Sequence, residues 1–164
     1  MNMSHAVTIT RTTTSSTGTS ALIINTGYLK TVPGLLKLAQ LIIGGFCAFF
    51  VGWHFWDYSR YNSNTELFFL CIAVSFFLGT FCLLISCLVS LSTGGIISKT
   101  IYELVYHSVA FILYLIASIL LLMKISDRTT EWNHPYKLAS VLGLILSALY
   151  LISAVFAQRS YRGI

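Results

Sequence analysis

Glu103 and His107 are the two side chains whose types and spacing most readily suggest chemistry in this chain. Residues four apart share one face of a helix, so a carboxylate and an imidazole would lie side by side. Such a pair can take up and release a proton. The surrounding residues are largely apolar, and an ionisable group inside a membrane is a functional candidate. We therefore take Glu103 and His107 as an intramembrane polar pair.

A structural role for the same pair is the alternative, and we favour it. Thr100 and Glu103 have the spacing of a capping box, in which two side chains satisfy backbone amides at the start of a helix. A proton pathway would also need polar groups deeper in the membrane. Between positions 109 and 123, however, only Tyr114 and Ser118 are polar.

The other ionisable residues add no further chemistry. With Lys37 set aside at the inner rim of the first span, His54 is the remaining intramembrane candidate, near the outer end of its span. Haem ligation needs two axial ligands at similar depth, and we expect His54 and His107 to lie at different depths. We predict no cofactor, no metal site and no catalytic residue, and therefore a protein that is not an enzyme.

Four apolar runs carry these residues, at about 35–56, 67–91, 101–123 and 138–157. Each is long enough to cross a hydrocarbon core of roughly 30 Å, which takes roughly 20 helical residues. Charged residues make up 9% of the chain and the mean hydropathy is +0.80, whereas soluble domains carry about 25% charged residues. The sequence therefore predicts an all-α integral membrane four-helix bundle with short loops.

The basic residues predict the orientation of the bundle. Four spans place both termini on one side, together with six of the ten Lys and Arg residues, which favours cytoplasmic termini. We assign the net charge of +5 to contact with anionic lipid headgroups and predict no nucleic-acid partner. Residues 1–27 form a Thr- and Ser-rich tail that we expect to be disordered, and residues 28–161 form the four-span domain.

Small residues recur every fourth position in two of the spans. Such a stripe lets a second helix backbone approach closely. The stripe can seat the helices of this bundle, which we favour, or bind the transmembrane helix of a partner. The residues are Gly44, Ala48 and Gly52 in the first span, and Ala139, Gly143 and Ser147 in the fourth.

Parts of the first and third spans resemble the MARVEL-domain family, most closely its chemokine-like factor-type (CMTM) and plasmolipin-type members. The stretches are Tyr28–Gln40, Tyr102–Ala110 and Leu113–Ser118. The similarity extends over about residues 28–161. It implies a MARVEL-like four-span fold with cytoplasmic termini, and it brings no established active site.

The resemblance also implies a role in membrane organisation and vesicle trafficking. The predicted function is that of a non-enzymatic multi-pass protein that organises membranes, or that traffics or stabilises partner membrane proteins through lateral helix and lipid contacts. Its partners would be the bilayer, including cholesterol-rich regions, other membrane proteins and further copies of itself. It would lie in the plasma membrane or in endosomal or secretory vesicles. The alternative is a channel or transporter component that uses Glu103 and His107.

Overall fold

Four long helices account for nearly all of the structure. The computed structural model describes residues 26–57, 64–89, 101–126 and 134–163. A short 3-10 helix, Thr26–Lys30, precedes them. The four helices are α1 (Val32–Asp57), α2 (Asn64–Val89), α3 (Ile101–Ser126) and α4 (His134–Arg162). The predicted all-α class with four spans is confirmed.

The helices are longer than the apolar runs that predicted them. They contain 26 to 29 residues, or about 39–44 Å at 1.5 Å per residue. The extra turns include polar ends such as residues 64–66 and 158–162, which continue the helices beyond the predicted apolar runs. Most of the predicted tail and the connecting loops lie outside the described residues. The last two tail positions, 26 and 27, belong to the 3-10 helix.

Thr31 joins the 3-10 helix to α1. Its hydroxyl donates to the carbonyl oxygen of Tyr28 at 2.6 Å and accepts from the amide of Gly34 at 3.3 Å. This is the behaviour of a helix N-cap, which satisfies an otherwise unpaired amide of the first turn. Pro33 is tolerated in the same turn because its missing N–H has no intrahelical partner there. The start of α1 is therefore fixed relative to the 3-10 helix.

The helices form a ring in chain order. α1 packs against α2 and α4, α3 packs against the same two helices, and the α3–α4 interface is the most extensive. The pairs α1/α3 and α2/α4 therefore lie on the two diagonals of the bundle. We call the end where α1 and α3 begin, and where α2 and α4 finish, the tail end, and the opposite end the far end.

Large apolar side chains cover the sides of the bundle. In α1 the exposed set is rich in aromatic rings, including Phe46, Phe49 and Trp53. In α3 the exposed positions are mainly β-branched, such as Val105 and Ile112. Exposed apolar surface of this kind suits lipid, and the four helices are long and apolar enough to cross a membrane.

Candidate functional site

A buried ion pair lies near the tail end of the bundle. The Lys37 ammonium of α1 donates to Glu103 Oε1 of α3. Lys37 is 2% exposed and Glu103 is 4% exposed. Because α1 and α3 are diagonal to each other, the lysine side chain must reach across the bundle axis. Two opposite charges buried in a medium of low dielectric stabilise each other, and neither can be removed alone without a large cost.

Lys37, set aside in the sequence analysis at the inner rim of the first span, belongs to this buried site. A lysine near a helix end can extend its ammonium to the headgroups. The structure instead places Lys37 on the inward face of α1, in phase with Gln40, Gly44 and Cys47. The sequence indicates this inward position, because Lys37 shares its helix face with the small and polar residues of α1.

His107 lies beside the ion pair, as its spacing from Glu103 predicted. Its Nε2 is 3.5 Å from Glu103 Oε1, and the residue has no exposed surface. Among the described residues, neither ring nitrogen has a hydrogen-bond partner. The side chain of Glu103 meets Lys37 and His107, and the Thr100 half of the predicted capping box lies outside the described residues. The cluster of Lys37, Glu103 and His107 is named the polar cluster below.

Tyr28 covers the polar cluster at the tail end. Its hydroxyl accepts from Lys37 Nζ at 3.1 Å, and the ammonium is 5.8 Å from the centre of the ring. Burial raises the pKa of the Tyr28 phenol above its ordinary range, and the nearby Cys87 thiol adds to the increase. The phenol therefore stays neutral and serves as an acceptor for the lysine.

Three hydroxyls deeper in the bundle form a second polar group. Thr80 Oγ1 of α2 is 2.7 Å from the Tyr150 hydroxyl of α4 and 2.9 Å from the Tyr106 hydroxyl of α3. Tyr106 donates to the carbonyl oxygen of Phe76 at 3.2 Å. A carbonyl oxygen can only accept, so Tyr106 uses its one proton on the Phe76 carbonyl. Thr80 must then donate to Tyr106, and Tyr150 must donate to Thr80.

Aromatic rings surround this hydroxyl chain. The Phe76 ring lies 5.6 to 6.0 Å from the rings of Tyr106, Tyr114 and Tyr150. Tyr114 and Tyr150 stack at 5.5 Å, and His107 lies 5.8 Å from Tyr150. The rings therefore link the polar cluster to the middle of the bundle through packing. Sequence analysis missed this group because its members are isolated polar residues on three helices, with no spacing that relates them.

The direction of the hydroxyl chain limits what the interior can do. A proton relay needs each member to accept and donate in turn. The Phe76 carbonyl ends the chain because it has no proton to pass on. Tyr114 and Ser118 are the two polar residues expected deeper in α3, and within the described part of the chain their hydroxyls have no hydrogen-bond partner. The described hydrogen bonds therefore serve to hold α2, α3 and α4 together.

His54 and Gln40 belong to separate contacts. His54 lies towards the far end of α1, with its ring 5.0 Å from that of Tyr136 in α4. The structure therefore keeps it away from His107, which is near the tail end. Gln40 donates to Ser153 at 2.8 Å and joins α1 to α4 at the level of the polar cluster.

The small-residue stripe of α4 faces α1, α2 and α3. Ala139, Gly143 and Ser147 are all buried. The Cys47 thiol approaches the Ala139 carbonyl oxygen at 3.9 Å, and Ser147 donates to the Phe111 carbonyl oxygen at 3.3 Å. A Cβ on Gly143 would overlap Ser118 Oγ and lie 2.8 Å from the Phe69 ring. Glycine is therefore the residue that lets these helices meet at this point.

The stripe of α1 also faces the bundle, with more room. A Cβ on Gly44 would be 3.8 Å from the Tyr114 hydroxyl, and one on Gly52 would be 3.6 Å from Leu70. Ala48 is half-buried against the apolar core. Both stripes thus contact helices of the same chain, and binding of a partner helix by either one stays a prediction.

Comparison with known families agrees with this architecture. The family model described as MARVEL, membrane-associating domain, matches residues 28–156. That range begins at Tyr28 and includes the polar cluster, the hydroxyl chain and both stripes. No curated protein and no solved structure gives a significant match, so the nearer resemblance to CMTM and plasmolipin-type members stays a prediction. Since the match covers most of the sequence, the chain belongs to the MARVEL family of multi-pass membrane proteins.

Proposed function

We propose that this protein is a non-enzymatic membrane organiser that gathers, traffics or stabilises partner membrane proteins through lateral contacts. The observation that carries the proposal is that the buried charged and hydrogen-bonding side chains turn inward, beside an apolar core, whereas large apolar side chains cover the exterior. Lys37, Glu103 and His107 point inward and meet one another. The exterior offers long apolar helix sides, which are suited to lipids and to the transmembrane helices of other proteins.

The α1 side is the region that we assign to these contacts. Phe46 stacks on Phe50 at 6.2 Å, and Phe49 lies 6.0 Å from Trp53. A cleft of about 370 Å³ opens beside them between α1 and α2. Aromatic rings bring large contact area with little loss of side-chain freedom, which favours them at recognition surfaces. The cleft is lined by Leu41, Ile42, Gly45, Phe46, Phe49 and Phe77.

The proposal includes orientation, location and partners. The basic residues favour cytoplasmic termini, and family membership is consistent with the plasma membrane or with endosomal or secretory vesicles. The partners would be bilayer lipids, including cholesterol-rich regions, other membrane proteins and further copies of the chain. The paired charges and hydroxyls would serve to hold the bundle rigid while its sides make contacts.

A channel or transporter component is the second candidate. It is favoured by the fact that polar side chains continue beyond Glu103 and His107, through Tyr150 and Thr80 to Tyr106. It is disfavoured by the end of that chain at the Phe76 carbonyl oxygen. It is also disfavoured by Lys37, because its charge fills the position that a permeating cation would occupy beside Glu103.

Crosslinking in intact membranes, followed by mild purification and mass spectrometry, tests the first candidate. Recovery of one or a few membrane proteins in fixed proportion is the expected result. The same purified protein in liposomes tests the second candidate through pH-dependent flux. Flux that Glu103→Gln abolishes, with no partner recovered, would replace the organiser by the channel.

A further inference from the structure

The 3-10 helix Thr26–Lys30 docks on the tail end of the bundle, directly over the polar cluster. It contacts both α1 and α2. Tyr28 and Leu29 are half-buried, whereas Gly27 and Lys30 are exposed. The docked face is therefore formed by Tyr28 and Leu29, and the Tyr28 hydroxyl meets Lys37. We call residues Thr26–Lys30 the latch.

Gly34 makes this docking possible. A Cβ at position 34 would overlap the Tyr28 carbonyl oxygen and would lie 2.9 Å from the Tyr28 carbonyl carbon. These are backbone atoms, which cannot turn aside as the end of a side chain can. A side chain at position 34 would therefore push the latch away from α1. The short path from Tyr28 through Thr31 to Gly34 is held by three hydrogen bonds.

The latch explains the burial of charges so close to a helix start. Lys37 is the sixth residue of α1 and Glu103 the third of α3, so both lie within two turns of the end of their helix. At such positions water and headgroups can normally reach a charged group. Both residues are nevertheless at most 4% exposed, and Tyr28 is the latch side chain in contact with Lys37 Nζ.

We propose that the latch seals the tail end of the bundle, with Tyr28 as the residue that keeps water from Lys37, Glu103 and the neighbouring Cys87. Release of the latch would open the polar cluster to the tail side. Residues 1–25 precede the latch directly in sequence, so a partner that pulls on this segment would act on the bundle interior. The proposal holds whether the bundle organises partners or conducts protons.

Cys87 provides a native reporter for the seal. It is 2% exposed and adjoins Tyr28. In the variant with Cys47, Cys71 and Cys82 replaced by Ala, Cys87 is the one remaining thiol. This full-length protein is placed in lipid nanodiscs, and a charged, membrane-impermeant thiol reagent is added. The rate of modification then measures how often water-borne reagent reaches the tail end of the interior.

Tyr28→Ala and Gly34→Ala are the test variants. Tyr28→Ala removes the contact with Lys37, and Gly34→Ala pushes the latch away from α1, so we expect Cys87 to react about ten-fold faster or more in both. The matched controls are Tyr102→Ala, an exposed tyrosine at the same end, and Gly44→Ala, a glycine with room for a Cβ. We expect each control to leave the Cys87 rate within about two-fold of that of the protein without the substitution, because Tyr102 is exposed and a Cβ on the buried Gly44 would make only an ordinary contact.

Helix content by circular dichroism and elution as a single species identify variants that remain folded. If Tyr28→Ala fails to fold, Gly34→Ala and the milder Tyr28→Phe carry the test. An unchanged Cys87 rate in the folded latch variants would overturn the proposal. The proposal would also be overturned if Cys87 in the protein with an intact latch reacted as fast as it does in detergent-unfolded protein, since no seal would then exist.

Discussion

Lys37 and Glu103 form an ion pair across the axis of the bundle, between two helices whose backbones lie on a diagonal. The hydroxyls of Thr80 and Tyr150 join the other diagonal, between α2 and α4. In lipid, the apolar side chains of neighbouring helices gain little by leaving the solvent, because the solvent is equally apolar. Polar contacts across both diagonals are therefore well placed to fix the arrangement of all four helices.

Removing one member of the ion pair should destabilise the bundle strongly. Lys37→Met leaves the Glu103 carboxylate buried without its cation, and we expect a loss of about 3–5 kcal/mol in the free energy of unfolding. The double variant Lys37→Met/Glu103→Gln should recover most of that loss, because neither charge remains. Unfolding in detergent mixtures measures both. The exposed Lys137→Met is the control, and an equal loss there would show that the effect is unrelated to the pair.

Gly143→Ala should weaken the junction of α3 with α4. The new methyl group would overlap Ser118 Oγ and the Phe69 ring, and overpacking of this kind costs about 1–3 kcal/mol. Gly44→Ala is the matched control, because its methyl group would make an ordinary contact of 3.8 Å. Both substitutions bring the same gain in helix propensity. Equal stabilities for the two variants would contradict the close contact at Gly143.

Ala48→Leu should also destabilise the bundle. Ala48 packs against the apolar core, so the larger side chain must displace its neighbours, at a cost of about 1–3 kcal/mol. The same substitution at Ala148, which is exposed on α4, should change stability by less than about 0.5 kcal/mol. If Ala48→Leu leaves partner recovery, surface level and stability all unchanged, the α1 stripe has no role in close packing.

The hydroxyl chain should behave as a coupled unit. Tyr150→Phe removes one hydrogen bond of the chain and Tyr106→Phe removes two, with an expected loss of about 0.5–1.5 kcal/mol for each bond. Because Thr80 bridges both residues, the double variant should cost less than the two single losses together. A double-mutant cycle in detergent unfolding measures this coupling. Simple additivity of the two losses would show that the hydroxyls act independently, and the exposed Tyr102→Phe serves as the control.

The spans and the Glu103–His107 face followed from the sequence because helical periodicity and apolar length are local properties. The pairing of Glu103 with Lys37 did not follow from the sequence. Helical phase places Lys37 on the same face of α1 as Gln40 and Gly44, but it does not identify the helix that this face meets, because that depends on how the four helices are arranged. The contact of Thr80 with Tyr150 was likewise hidden, since it depends on which helices are diagonal. Contacts within one helix were predictable, whereas contacts between helices required the assembled ring.

Capture of partners by four forms of the protein tests the central claim most directly. The forms are the wild type, the Lys37→Met/Glu103→Gln variant without the buried charges, and the exposed triple variant Phe46→Ala/Phe49→Ala/Trp53→Ala. A fourth form, Val105→Ala/Val109→Ala/Ile112→Ala, is the matched control on the α3 side. Partners are crosslinked in intact membranes and quantified by mass spectrometry against the amount of folded protein. If the lateral α1 surface binds the partners, the folded charge-free form and the α3 control keep them, and the aromatic variant loses them. Loss of partners in the charge-free form, with full capture by the aromatic variant, would contradict the account.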